Sequence, residues 1–151
     1  MHSMIRFSLL LIPLTISLCL PLQAEPSPTP DYNFDVRVTP LLRTSTNFAG
    51  QQIIYPHDHP AEVSILTVTI PPGKQTGWHT HPVPLFGYVL SGEITVTIEG
   101  HGTHTFHEGD PLAECVNLLH NGVNTGSVPV KLLIFVAGEK NVPFTVKREK
   151  E

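Results

Sequence analysis

Three histidines carry most of the chemistry that this sequence offers. His79 and His81 lie two apart in Gly73-Lys-Gln-Thr-Gly-Trp-His-Thr-His-Pro82. On a strand, side chains at i and i+2 leave the same face, so both imidazoles point to one place. The opposite phase would turn Trp78 and Thr80 inward instead. Two buried histidines on one face each need a partner, and a shared metal ion satisfies both. His120 lies in a second glycine-framed, strand-rich segment and supplies a third imidazole. Three such donors suit a divalent transition metal. Zn²⁺, Fe²⁺, Ni²⁺, Cu²⁺ and Mn²⁺ all accept them, and spacing does not choose among these ions.

The other reactive side chains are weaker candidates. His57 and His59 share the two-apart spacing, but Pro56 and Pro60 bracket them and dictate a loop. His101, His104 and His107 surround a hairpin and read as solvent-facing; 104 and 107 differ by an odd number and leave a regular strand on opposite faces. Cys115 could be a thiolate or a soft ligand, yet no basic residue adjoins it, and a lone cysteine reads as a small buried hydrophobe. Trp78 and Tyr88 read as core or rim aromatics, Asn124 as a turn support and Glu62 as a solvated strand end. There is no phosphate-cradling glycine loop, no nucleophile elbow and no paired-carboxylate signal.

The elements that must position these residues are strands. Glu62–Ile70 (EVSILTVTI) is dominated by Val, Ile and Thr and is closed by Pro71-Pro72-Gly73. Further strands are expected at 77–81, 86–90, 93–99, 103–107, 111–115, 118–123 and 128–137, with an edge at 144–147. A β-branched stretch at 34–39 and a short strand at 52–55 precede them, joined by a turn at 47–50. No run of ten residues shows helical periodicity beyond the N-terminal segment. About ten short strands separated by Gly/Pro turns predict an all-β, antiparallel sandwich or barrel.

At this point the residues resemble a known family, the cupins. The first cupin motif runs Gly, five residues, His, one, His, three or four, Glu, six, Gly. Gly73, His79, His81 and Gly92 match it. The second runs Gly, five, Pro, one, Gly, two, His, three, Asn, and Gly109, His120 and Asn124 match. The resemblance implies a double-sheet jelly roll with His79, His81 and His120 as metal ligands. The departures bear on the chemistry. Leu85 stands at the Glu position, Cys115 at the Pro and Asn117 at the second Gly. Without the carboxylate, a neutral three-nitrogen set leaves the ion's charge less compensated and favours an anionic substrate or hydroxide. Glu114, six residues before His120, faces inward if strand parity holds. It is the candidate for a fourth ligand, a supporting partner or the catalytic base.

Composition sets the frame. The 151 residues carry a net charge of −4, with 40% hydrophobic and 15% charged residues, as expected of a single globular domain. No basic run precedes the tail, so nucleic acid is not an expected partner. Residues 1–24 read as a signal peptide: Arg6, an apolar run from Phe7 to Leu20, then Leu22-Gln23-Ala24. Its removal would take Cys19 and leave Cys115 alone, so no internal disulfide is expected. A Pro-rich linker at 25–33, a cupin domain at 34–147 and a charged tail at 148–151 complete the expected organisation. The expected location is periplasmic or extracellular, with no membrane contact after signal removal. A homodimer formed by sheet pairing is expected, because 67–70 and 132–136 lack blocking charges. Function divides three ways: an enzyme of dioxygenase, isomerase or lyase type on a small, oxygen-rich substrate; a binding protein for metal or ligand; or an assembly module.

Overall fold

Nine strands and no helix make up the regular structure of residues 35–148, the part of the chain that the computed structural model describes. They are β1 (Ala61–Ile70), β2 (His79–Thr80), β3 (Leu85–Ser91), β4 (Glu93–Ile98), β5 (Gly102–His107), β6 (Pro111–Ala113), β7 (His120–Val123), β8 (Val130–Glu139) and β9 (Val146–Lys147). One sheet has the order β1-β8-β3-β6 and the other β5-β4-β7-β2-β9, with every pairing antiparallel. The result is the expected double-sheet jelly roll.

Alternation explains why the sheets face each other. Along β8, Val130, Leu132, Ile134 and Val136 are buried while Lys131, Leu133 and Phe135 are exposed. β4 places Ile94, Val96 and Ile98 inward with threonines outward. The inward residues of both sheets meet in one cluster that includes Val89, Leu112 and Val83. Side chains of period two therefore build the core, as the strand reading required.

Several expectations change. Val36–Thr39 carries no strand, and its residues are exposed. The strand at 52–55 shrinks to one bridge, Thr46 to Gln52, although the 47–50 turn is present. That turn is held by Asn47, which is buried and accepts from the backbone N–H groups of Ala49 and Gln51. Segment 132–136 is no edge, because β8 lies between β1 and β3. Of the two segments named for sheet pairing, only the one in β1 lies at a sheet edge. His104 is half-buried rather than solvent-facing, with its ring 5.2 Å from that of Phe48. The signal peptide (1–24), the linker (25–33) and the tail beyond Arg148 lie outside the described residues.

Two turn positions constrain the roll. Asn124 is fully buried; its amide donates to the carbonyls of Ile70 and Val128, and its oxygen accepts from Gly126 N–H. It fastens the end of β1 to the approach to β8. Gly92 joins the two sheets with φ of +80°, and an added Cβ would lie 2.9 Å from the Val130 Cα. Both the backbone and the neighbour exclude a side chain there. Gly92→Ala is therefore expected to destabilise the fold by about 2 kcal/mol or more, read as a lower denaturation midpoint in urea; an unchanged midpoint would contradict it.

Candidate metal centre

The histidines converge because three strand segments pass one end of the barrel. β2 lies between β7 and β9, with His79 opposite His120 on one side and Lys147 on the other. His81 follows directly after β2 on the same face. All three are buried, with ring centroids 4.3 to 4.9 Å apart. One donor nitrogen from each lies within 4.8 Å of the others. The phase that turns Trp78 outward is thus the one adopted, and Trp78 sits at the surface.

The orientation of each ring is fixed by the main chain. His79 Nδ1 is 2.7 Å from the Gly77 carbonyl, His81 Nδ1 is 2.6 Å from that of Phe144 and His120 Nδ1 is 2.8 Å from that of Leu118. A carbonyl only accepts, so each Nδ1 carries the proton and donates it. In the neutral rings the lone pair is left on Nε2, and it faces the common centre. None of these carbonyls has a side-chain signature, so sequence patterns could not have disclosed them. His120 Nε2 is buried and has no hydrogen-bond partner, the single such side-chain nitrogen or oxygen among the described residues. An orphaned buried nitrogen is costly, and an ion at the centre would use its lone pair.

Glu114 faces the centre. It is two residues beyond Leu112, and both line the same cavity, so strand parity holds. Its Oε2 lies 3.2 Å from His81 Nε2 and 3.4 Å from His120 Nε2, the second approach being off the line of a hydrogen bond. Donors held about 2.1 Å from one ion, at angles between octahedral and tetrahedral, lie roughly 3.0 to 3.4 Å apart. The observed separations match that spacing. The side chain arrives there because Glu114 N–H donates to the Leu85 carbonyl at 2.8 Å, continuing the Phe86–Ala113 register by one residue. Glu114 is therefore the cross-strand neighbour of Leu85, the residue at the vacant carboxylate position.

The group is electrostatically coupled. Burial alone would raise the Glu114 carboxyl, but contacts with His120 and His81 outweigh it and hold the group down to about 2. Burial likewise opposes charge on His120, yet the Cys115 sulfur, Glu114 and the Leu118 carbonyl push it up to about 10. For His79, burial outweighs the Gly77 carbonyl and, with His120 and His81 beside it, lowers the group, so it stays neutral more readily. Cys115 is fully buried, as expected, but its Sγ lies 3.3 Å from His120 Nδ1, a contact that neighbours in sequence could not reveal.

The remaining candidates fall outside the centre. His59 pairs with Glu139 at 3.0 Å, and Glu139 also accepts from the backbone of Asp58 and His59, which ties the proline-bracketed loop to β8. His107 pairs with Glu93. Glu62 and His101 are exposed. Asn117 has φ of +57° and donates its N–H to the His81 carbonyl. Asparagine tolerates this left-handed conformation, so it can stand where the motif has glycine.

A cavity of about 180 Å³ opens beside the four side chains. Its walls include Leu66, Val68, Ile94, Val96, Leu132 and Ile134, and Lys147 lines its solvent side. Such walls disagree with the expectation of an oxygen-rich substrate, since hydroxyl groups there would lose their partners.

Residues 66–136 match the family model described as the cupin domain. No curated protein matches the chain. Among solved structures, the DMSP lyase DddQ from Ruegeria pomeroyi DSS-3 is similar at 24% identity and a TM-score of 0.51, over 59% of this chain and 45% of that one. A conserved protein with a double-stranded beta-helix domain from Klebsiella pneumoniae is similar at 19% identity and a TM-score of 0.50, over 63% and 90%. The chain spans less than half the length of the lyase. Identities this low carry the fold alone. The matched segment, just under half of the chain, holds all three histidines and Glu114 within the double-sheet roll.

Proposed function

We propose that the chain is a metal-dependent enzyme acting on a small molecule, with a divalent transition metal held by His79, His81, His120 and Glu114. The observation that carries this reading is the convergence of three Nε2 atoms, each oriented by a carbonyl on its Nδ1, with a carboxylate at coordination spacing from two of them. Glu114 replaces the carboxylate missing at Leu85 from across one rung of the sheet. Its negative charge offsets part of the ion's charge in a buried site. The metal, when bound, would supply Lewis-acid polarisation or oxygen activation. The protein binds and orients the substrate in the adjoining cavity and shields it from water. The fit does not select among Zn²⁺, Fe²⁺, Ni²⁺, Cu²⁺ and Mn²⁺.

One observation favours a second reading, a binding protein without turnover. With Glu114 engaged on the ion, the cavity retains Lys147 as its only other charged residue among the described residues, and no free carboxylate among them lines it to move protons. A turnover screen on metal-loaded, untagged protein separates the two. Product formation that requires the metal supports the enzyme; stoichiometric metal with no turnover of any ligand that binds supports the binding protein.

The carboxylate assignment has its own test. Glu114→Gln is expected to weaken metal binding by at least about 100-fold in competition with a chelator. The exchange Leu85→Glu with Glu114→Leu should recover binding to within about tenfold of the natural chain, because it moves the carboxylate back across the rung. Full affinity in Glu114→Gln would exclude the residue as a ligand.

Proton competition gives a further expectation. His120, pushed up to about 10, holds a proton that an ion must displace. Binding then releases that proton at every pH below 10, and affinity rises with pH by about tenfold per unit until the group's own titration is reached. Calorimetry in buffers of different ionisation enthalpy between pH 6.5 and 8.5 measures this release. A pH-independent affinity would show that His120 is not displaced.

A further inference from the structure

The cavity restricts its occupant in size, polarity and charge at once, and the restriction rests on the metal reading above. Its volume is about 180 Å³. A dry apolar cavity of about 150 Å³ accommodates benzene, so this one holds about seven to nine non-hydrogen atoms. Its long walls come from both sheets: Leu66 and Val68 of β1, Ile94 and Val96 of β4, and Leu132 and Ile134 of β8. Their side chains offer no hydrogen bond. The polar atoms of the lining cluster at the histidine end, where Thr76 already donates and accepts within the protein and Thr145 lies 3.3 Å from His81 Nδ1. A hydroxyl or second carboxylate on the occupant's far end would be buried without a partner.

Charge narrows the choice further. A divalent ion with one ionised Glu114 leaves a single positive charge in a low-dielectric chamber. One anionic head on the occupant neutralises it, whereas a dianion would leave a buried excess. Lys147, opposite His79 in register and exposed on the cavity's solvent side, adds a cation that draws anions toward the opening.

We propose that this site takes a monoanion with one oxygen-donor head, of the monocarboxylate class, on a hydrocarbon body that brings the molecule to about seven to nine non-hydrogen atoms. The head ligates the ion and the body fills the apolar walls. Sugars, polyols and short dicarboxylates are outside the class.

The test begins with metal analysis of untagged protein loaded with Ni²⁺ or Co²⁺, followed by calorimetric titration with straight-chain monocarboxylates from acetate to decanoate, and with benzoate, oxalate and gluconate. Affinity should rise about three- to fourfold per methylene and then break near heptanoate, when the cavity is full. Benzoate should bind, and oxalate and gluconate should bind at least about tenfold more weakly than hexanoate. In Leu66→Phe, at a half-buried wall position, the break should move two or three carbons shorter. Metal-loaded protein that shows no dependence on chain length, or that prefers oxalate, overturns the substrate class and leaves the metal reading standing. Protein that takes up no metal overturns both, and the analysis before any carboxylate is added reveals it.

Discussion

Everything at the centre depends on where three protons are held. The carbonyls of Gly77, Leu118 and Phe144 each fix a histidine Nδ1–H, so three Nε2 atoms point to one volume. Without that constraint the buried rings could rotate or exchange tautomers, and their proximity would mean little. The constraint is distributed. One carbonyl belongs to the turn before β2, one to the loop before β7 and one to the segment entering β9. Gly77 and Leu118 lie only two residues before the histidines they hold, His79 and His120, whereas Phe144 lies 63 residues beyond His81. The roll has to close before the His81 ring is set.

The carboxylate follows the same logic in a different direction. A sheet presents neighbouring residues on adjacent strands as near-equivalent positions on one face. Glu114 N–H on the Leu85 carbonyl makes these two residues such a pair. Glu114 therefore offers a carboxylate on the same face as position 85, one rung away. The apolar side chain at 85 forms part of the cavity wall beside that carboxylate. This links the ligand set to the kind of molecule that the chamber accommodates.

Sequence reasoning recovered much of this because strands broadcast their periodicity. The alternation in β1, β4 and β8 made the all-β class plain, and the i, i+2 spacing placed His79 and His81 on one face. Glu114 was legible by parity alone. Three features were not. The short strand expected at 52–55 keeps only the bridge from Gln52 to Thr46, because composition cannot supply a ladder. The odd spacing of His104 and His107 predicts exposure, yet Phe48 packs against the His104 ring at a tilt from a remote segment. The lack of blocking charges at 132–136 predicts an edge, yet strand order is a property of the sheet and is invisible in local pattern.

What the sequence determined by itself is the set of donors and their local phase. Three histidines and one glutamate stand at positions whose strand parity sends them inward, because a strand's side-chain period is set by backbone geometry alone. What only the tertiary structure decided is their convergence and protonation. The register across β2–β7 and β2–β9, the Leu85–Glu114 rung and the hold of Phe144 on His81 all arise from segments distant in the chain. Such contacts form through packing and cross-strand hydrogen bonding, which no linear spacing encodes, and they turn a list of ligating residues into a centre with a defined charge and a chamber of defined size.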